Sequence, residues 1–328
     1  MPTTTPITRR DNRVGLLRVA LAGLVWGSIP LVLRAADGAS VIKVFYRVLF
    51  AAVALVAWMA ATGRLTEVTS LPRRKLLQVA GQGVVLTVNW VLFLSALDMT
   101  NVATAELLGY TGPVFVAALA PFVTGEHFDV RVLAPLALSL GGIVVILAPQ
   151  GLAVAGGTQL LGAVLAGLSA LTYAALLLRS KKILRGISGS ALMVVEYSVA
   201  TVLLLPFVVV LYARGQGPTT LGSYGALATL GLVHTALAGI IFLGGLRATR
   251  TDHAAILTYA EPVAAVLFAA AFLAEKLTLW TLVGGAMVVV GGVIVAQLSP
   301  AAEPAAPLEA AGTESETEPD SESAAREG

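Results

Sequence analysis

The chain contains no cysteine. Disulfides, thiol nucleophiles and Cys-ligated metals are therefore excluded. It is also poor in charge: Asp, Glu, Lys and Arg make up 12% of its 328 residues, against about 25% in a soluble domain. No P-loop, HExxH or dinucleotide fingerprint occurs. ATP hydrolysis thus has no recognisable machinery, and neither a cofactor nor a metal is expected.

What replaces charge is apolar surface. Hydrophobic residues make up 57% of the chain and the mean hydropathy is +0.87. A soluble core of this size could not hide so much, so the lipid bilayer is the expected surroundings. Ten runs approach the ~20 apolar residues that cross it. They lie near 14–34, 40–62, 76–97, 101–123, 129–149, 157–179, 189–212, 223–245, 253–273 and 278–298. Lipid forces backbone groups to pair within a segment, and a barrel would show shorter, alternating segments. The expected fold is therefore an all-α integral membrane protein. Residues 1–13 read as an N-terminal tail. From 299 to 328 the chain turns to Ala, Glu, Pro, Ser and Thr, a composition expected to be disordered.

Charge is segregated. The last thirty residues carry eight acids and one base, Arg326, which leaves 20 bases against 11 acids elsewhere. With the N-terminus inside, the inner segments hold Arg9, Arg10, Arg13, Arg64, Arg73, Arg74, Lys75, Arg131, Arg179, Lys181, Lys182, Arg185, Arg247 and Arg250. The outer connections hold only Arg34, Arg214 and Lys276. Fourteen against three predicts both termini in the cytoplasm. Bases at helix ends suit membrane orientation better than nucleic acid, which is not an expected partner. The first run is too long for a cleaved signal, and nine more follow it.

The chain also repeats itself. "LLGYTGPVFVAALAPFVTGE" begins at Leu107, and "ILTYAEPVAAVLFAAAFLAE" at Ile256. Tyr110 and Tyr259, Pro113 and Pro262, and Glu126 and Glu275 all stand 149 apart (259−110, 262−113, 275−126). "LAGL" occurs at Leu21–Leu24 and again at Leu165–Leu168. The domains are thus 14–149 and 157–298, five spans each. Five is odd, so the second copy enters the membrane upside down. Inverted repeats are a construction of secondary transporters, with the cargo site near midplane.

The chain resembles EamA-type members of the drug/metabolite transporter superfamily. The resemblance rests on "LVWGSIP" (Leu24–Pro30), "YRVLFAA" (Tyr46–Ala52), the Tyr-Pro pattern closing on Gly125-Glu126, and "EPVAAVLFAAAFLAE" (Glu261–Glu275). Ala274-Glu275 departs from the family's usual Gly-Glu. The resemblance implies gradient-driven export or exchange of small metabolites, such as amino acids or related organic solutes, and no enzymatic activity. The alternative is a non-transporting membrane scaffold or sensor.

Ionisable groups at mid-bilayer cost roughly 2.5–3.5 kcal/mol each on insertion scales, so each needs a reason. Glu106 and Tyr110 share a helical face and suit a polar or cationic cargo head. Glu261 precedes Pro262, which is expected to break the helix at that point. By resemblance Glu261 lines the pathway or a gate. Kinks at Pro113 and Pro262 are expected to let the helices rock. Tyr259 is the favoured cargo contact in span nine. Arg47 either meets a carboxylate of the cargo or pairs with Glu106, and the pair is favoured. Glu196 and His234 are candidates for a coupling proton. Trp26, Trp90 and Tyr173 are candidate aromatic walls, and Asn89 a candidate polar contact. Gly23 and Gly27 form a close-packing step.

Overall fold

The computed structural model describes residues 9–151, 156–274 and 277–298. Glu275, Lys276, most of the connector between the halves and the acidic tail lie outside the described residues. Among the described residues, ten helical spans are long and apolar enough to cross a membrane: Arg10–Leu33, Ser40–Ala61, Arg73–Met99, Val102–Thr124, Val130–Leu147, Thr158–Ile183, Gly189–Ala213, Leu221–Ala248, Thr251–Leu273 and Leu279–Leu298. They are called spans one to ten. Among the described residues there is no strand. Spans one and ten leave both ends of the bundle on one side, called here the terminal face; the other is the far face.

Spans three and six run longer than their hydropathy foretells. Span three starts at Arg73 and span six ends at Ile183. Both extensions carry Lys or Arg at the terminal face. A helix continues through such residues after hydropathy has dropped, because its backbone bonds do not depend on side-chain polarity.

The two halves interlock with their partners exchanged. Span one packs on spans eight and nine, and span six packs on spans three and four. Spans two and seven form a central pair, and spans five and ten a peripheral one. The peripheral pair meets backbone to backbone. A Cβ on Gly142 would fall 2.5 Å from the Gly284 carbonyl oxygen, and one on Gly284 2.4 Å from that of Gly142. Gly27 serves span one likewise: a Cβ there would lie 2.7 Å from the Glu261 carbonyl oxygen. The outer belt is apolar, with Phe122, Phe272, Leu221 and Leu279 exposed, as a lipid solvent requires.

Spans four and nine are each broken at the repeated tyrosine. Span four is the helix Val102–Gly109 followed by Gly112–Thr124. Span nine is Thr251–Leu257 followed by Ala260–Leu273. The expectation of a break at Glu261 is corrected here. The break falls at Thr258 and Tyr259, and Glu261 and Pro262 sit in the first turn of the next helix. Proline is tolerated there because first-turn N–H groups have no helical partner anyway. Both half-helices end in left-handed residues, Gly125 (φ 71°) and Ala274 (φ 54°), which are themselves 149 apart (274−125).

Candidate functional site

The two breaks meet. The Tyr110 and Tyr259 rings stand edge to face with centroids 6.2 Å apart. A helix break leaves a carbonyl without its usual partner. Here the Tyr259 hydroxyl donates to the Tyr110 carbonyl at 2.6 Å. Tyr259 is fully buried, while Tyr110 is half-buried. The Tyr110 hydroxyl makes no hydrogen bond among the described residues. Tyr173 of span six reaches the other break, its hydroxyl 3.4 Å from that of Thr258. Its ring crosses Gly112 so closely that a Cβ would meet it at 2.6 Å.

Two carboxyl groups face this junction. Glu106 lies one turn before Tyr110, and both Glu106 and Glu261 are in electrostatic reach of its ring. Glu261 also interacts with Arg47 and with Glu106. Neither carboxylate accepts a hydrogen bond among the described residues, and both stay half-buried. Arg47 does not pair with Glu106, contrary to the favoured expectation. Its Nε donates to the Thr235 hydroxyl at 2.6 Å, and its guanidinium lies 5.1 Å over the Trp90 ring. The reason is geometric: span two packs on the seventh and eighth spans, and these present a hydroxyl rather than the acid of span four.

The other candidates are placed as follows. Trp26 donates its indole N–H to the His234 carbonyl at 2.8 Å. Asn89 is turned to span six, where its amide donates to the Ser169 carbonyl (2.7 Å) and the Thr172 hydroxyl (2.9 Å). Glu196 is buried beside the Gln82 amide. Asn89 and Glu196 are therefore not brought to the tyrosine junction. Sequence reasoning missed Ser28, Thr235 and Thr258. Each is a hydroxyl in a helical irregularity, and the signal was an adjacent candidate or Pro30.

The two faces differ. On the terminal face, Glu126 caps the start of span nine, accepting from the Thr251 N–H (2.9 Å) and hydroxyl (2.8 Å). Arg185 donates to the Thr124 carbonyl (2.7 Å), Arg250 to that of His127 (2.8 Å), and Lys181 to those of Leu246 (2.7 Å) and Thr249. Arg250 also pairs with Asp252 at 2.7 Å. These contacts tie spans four, six, eight and nine together. On the far side, none of the described hydrogen bonds joins Val102–Gly109 to Ala260–Leu273.

The central pair of spans two and seven is tied at both faces. Glu67 binds Arg64 at 2.6 Å and the Ser188 hydroxyl. Asp37 accepts from the Thr219 N–H (3.1 Å) and hydroxyl. Hydrogen bonds from Arg64 and Ser188 hold the Glu67 carboxyl below its ordinary range. Those from Ser223 and Thr219 do the same for Asp37. Arg131 draws Asp129 down to about 2.

The EamA-like transporter family model matches residues 13–148 and 160–297. A protein named an uncharacterized transporter in Archaeoglobus fulgidus is 28% identical, covering 87% of this chain and 97% of its own. Uncharacterized transporter YxxF of Bacillus subtilis is 24% identical over 87% of this chain and 90% of that one. A solved crystal structure superposes with a TM-score of 0.74 at 19% identity, covering 87% of this chain and 98% of its own. At that identity the likeness speaks for the fold.

Proposed function

Because the chain belongs to the EamA-like transporter family, we propose that it is a secondary transporter, an exporter or exchanger, working by alternating access. The observation that carries this is the pair of intramembrane carboxylates, Glu106 and Glu261, which accept no hydrogen bond among the described residues at the meeting of two broken helices. Ionisable groups at this depth are costly and mark substrate or ion pathways. The cargo is a small amphipathic metabolite, an amino acid or related amine. Its amine binds Glu106 and Glu261, and its apolar part lies against Tyr110, Tyr173 and Trp90. Arg47 meets a carboxylate when the cargo has one. Tyr259 serves by holding the Tyr110 backbone in place, and Pro113 and Pro262 stiffen the half-helices that rock.

The terminal face carries Arg64, Arg73, Lys75, Arg131, Lys181, Arg185, Arg247 and Arg250, which supports its placement in the cytoplasm of a cell whose cytoplasmic membrane holds the bundle. The sealed terminal face and the untied far halves of spans four and nine support an outward-facing state. Rocking then releases the Glu126 and Arg185 ties while spans two and seven, tied at both faces, stay fixed. The test is binding by the purified protein to a panel of amino acids and their decarboxylated amines, read as thermal stabilisation. Some member should stabilise the parent and fail to stabilise Glu106→Gln and Glu261→Gln. A panel that stabilises parent and both variants alike would sink this assignment.

A further inference from the structure

Two irregularities outside the tyrosine junction are joined to each other. Span one is interrupted at Ser28, between the helices Arg9–Gly27 and Ile29–Leu33. Span eight contains a π-helical segment, Leu230–Leu237. Such segments are rare and gather at functional places. His234 sits inside it and is buried. Its Nε2 lies 2.8 Å from the Ser28 hydroxyl, and its Nδ1 3.3 Å from the Thr229 carbonyl oxygen. The Ser28 hydroxyl is also 2.8 Å from the Val25 carbonyl oxygen. That carbonyl already accepts the Ser28 N–H at 3.1 Å in the turn that interrupts span one.

Protons can be counted around this ring. Nδ1 faces a carbonyl, which only accepts, so Nδ1 carries hydrogen. Nε2 faces a hydroxyl, which can give or take. With neutral imidazole, the Ser28 hydroxyl donates to Nε2. With imidazolium, Nε2–H donates to Ser28, whose hydroxyl then turns to donate to Val25. Both arrangements are fully bonded. They differ by one proton and one hydroxyl rotation. The first ties Ser28 to span eight as a donor; the second adds a bond to the tight turn of span one.

We propose that His234 is the proton-binding site of this protein, and that its protonation moves the Ser28 hydroxyl between span eight and the turn that breaks span one. This rests on the transport reading above and names its coupling ion. The charged groups around the ring fit the role. From span two, Arg47 lies in electrostatic reach of it and binds the neighbouring Thr235. From span nine, Glu261 reaches Arg47. Span one contributes the uncharged Trp26 and Ser28, and the start of span eight the Thr229 carbonyl. A cargo amine that engages Glu261 takes away part of the compensation of Arg47, which raises the positive potential at His234. Cargo and proton thus oppose each other along one chain of charges, as exchange in opposite directions requires.

The experiment is imidazole ¹⁵N spectroscopy on the purified full chain, which contains three histidines. The His234 signals are assigned by their loss in His234→Gln, or, if the Gln variant does not fold, by exclusion once His127→Gln and His253→Gln have removed the signals of the other two histidines. The expected result is a change from a single neutral tautomer to imidazolium between about pH 5 and 8. Ser28→Ala should move its midpoint by about half a unit or more. A ring that keeps one state from about pH 5 to 9, or a midpoint indifferent to Ser28→Ala, overturns the proposal. No cargo is needed, so this result stands apart from the fate of the cargo assignment. In vesicles, His234→Gln should abolish the pH dependence of counterflow. A Gln variant with the parent's pH profile overturns the coupling role.

Discussion

Tyr259→Phe separates the two repeated tyrosines by role. The change removes one hydroxyl and keeps the ring, so no cavity opens. Ala would not serve, because a fully buried aromatic leaves a hole worth about 3–5 kcal/mol. The lost bond runs 2.6 Å to the Tyr110 carbonyl. Tyr259 is fully buried, so no water replaces it. A buried carbonyl left unpaired costs about 1–3 kcal/mol. At about 2–4 °C per kcal/mol for a large domain, the melting temperature should fall by several degrees. Tyr110→Phe removes a hydroxyl with no bond among the described residues, and its melting should stay within about 1 °C of the parent. Cargo binding should reverse the order: Tyr110→Phe weakens it, while Tyr259→Phe acts mainly through stability. The assay is thermal melting in detergent, with and without cargo. A Tyr259→Phe protein as stable as the parent, or a Tyr110→Phe protein destabilised as much, would refute the assignment of that hydrogen bond.

Further expectations follow from other parts of the bundle. Ala274 holds a left-handed conformation that costs a Cβ-bearing residue about 1–2 kcal/mol, so Ala274→Gly should raise the melting temperature, whereas Gly125→Ala should lower it by a similar amount. Glu126→Ala uncaps span nine and should cost about 1–2 kcal/mol in thermal melting; an unchanged melt would remove this tie from the gate. The Asp129 carboxyl is drawn from 3.8 to about 2, so its contribution is present above about pH 4 and is lost as pH falls toward 2. Asp129→Asn should therefore lower stability slightly at neutral pH, by little because Arg131 is exposed, and leave it unchanged near pH 2, so that part of the acid limb flattens. The chain has no cysteine, so Lys75→Cys or Lys182→Cys introduces a single thiol; neither should react with an impermeant reagent in intact cells, and labelling of both reverses the orientation.

Much of this architecture is legible in the residues. Ten apolar runs and the 149-residue spacing of Tyr110 and Tyr259 lead to an inverted pair of five-span halves, because apolar length and an odd span count are one-dimensional properties. The ties across one face and the partners of single side chains are not. Whether Arg47 meets Glu106 or Thr235 depends on which spans are neighbours, and periodicity carries no neighbour list. The sequence places the break two residues after Tyr259, because proline reads alike as a breaker and as a first-turn residue. The π segment around His234 left no compositional mark at all: an extra residue in a turn is set by packing against Trp26, Ser28 and Arg47. Asn89 reads as a free polar group in the sequence because its partners, the Ser169 carbonyl and the Thr172 hydroxyl, are 80 and 83 residues away.

The central claim is that the Glu106–Glu261 junction moves a small solute across the membrane. Its most direct measurement is counterflow in proteoliposomes loaded with an unlabelled amino-acid and amine mixture and exposed to the same mixture labelled with ¹³C, read by mass spectrometry. At least one component should accumulate with the parent protein above protein-free vesicles, and Glu106→Gln and Glu261→Gln should abolish this while remaining folded. Accumulation undiminished in both variants, or no accumulation of any component by folded parent protein, would contradict it.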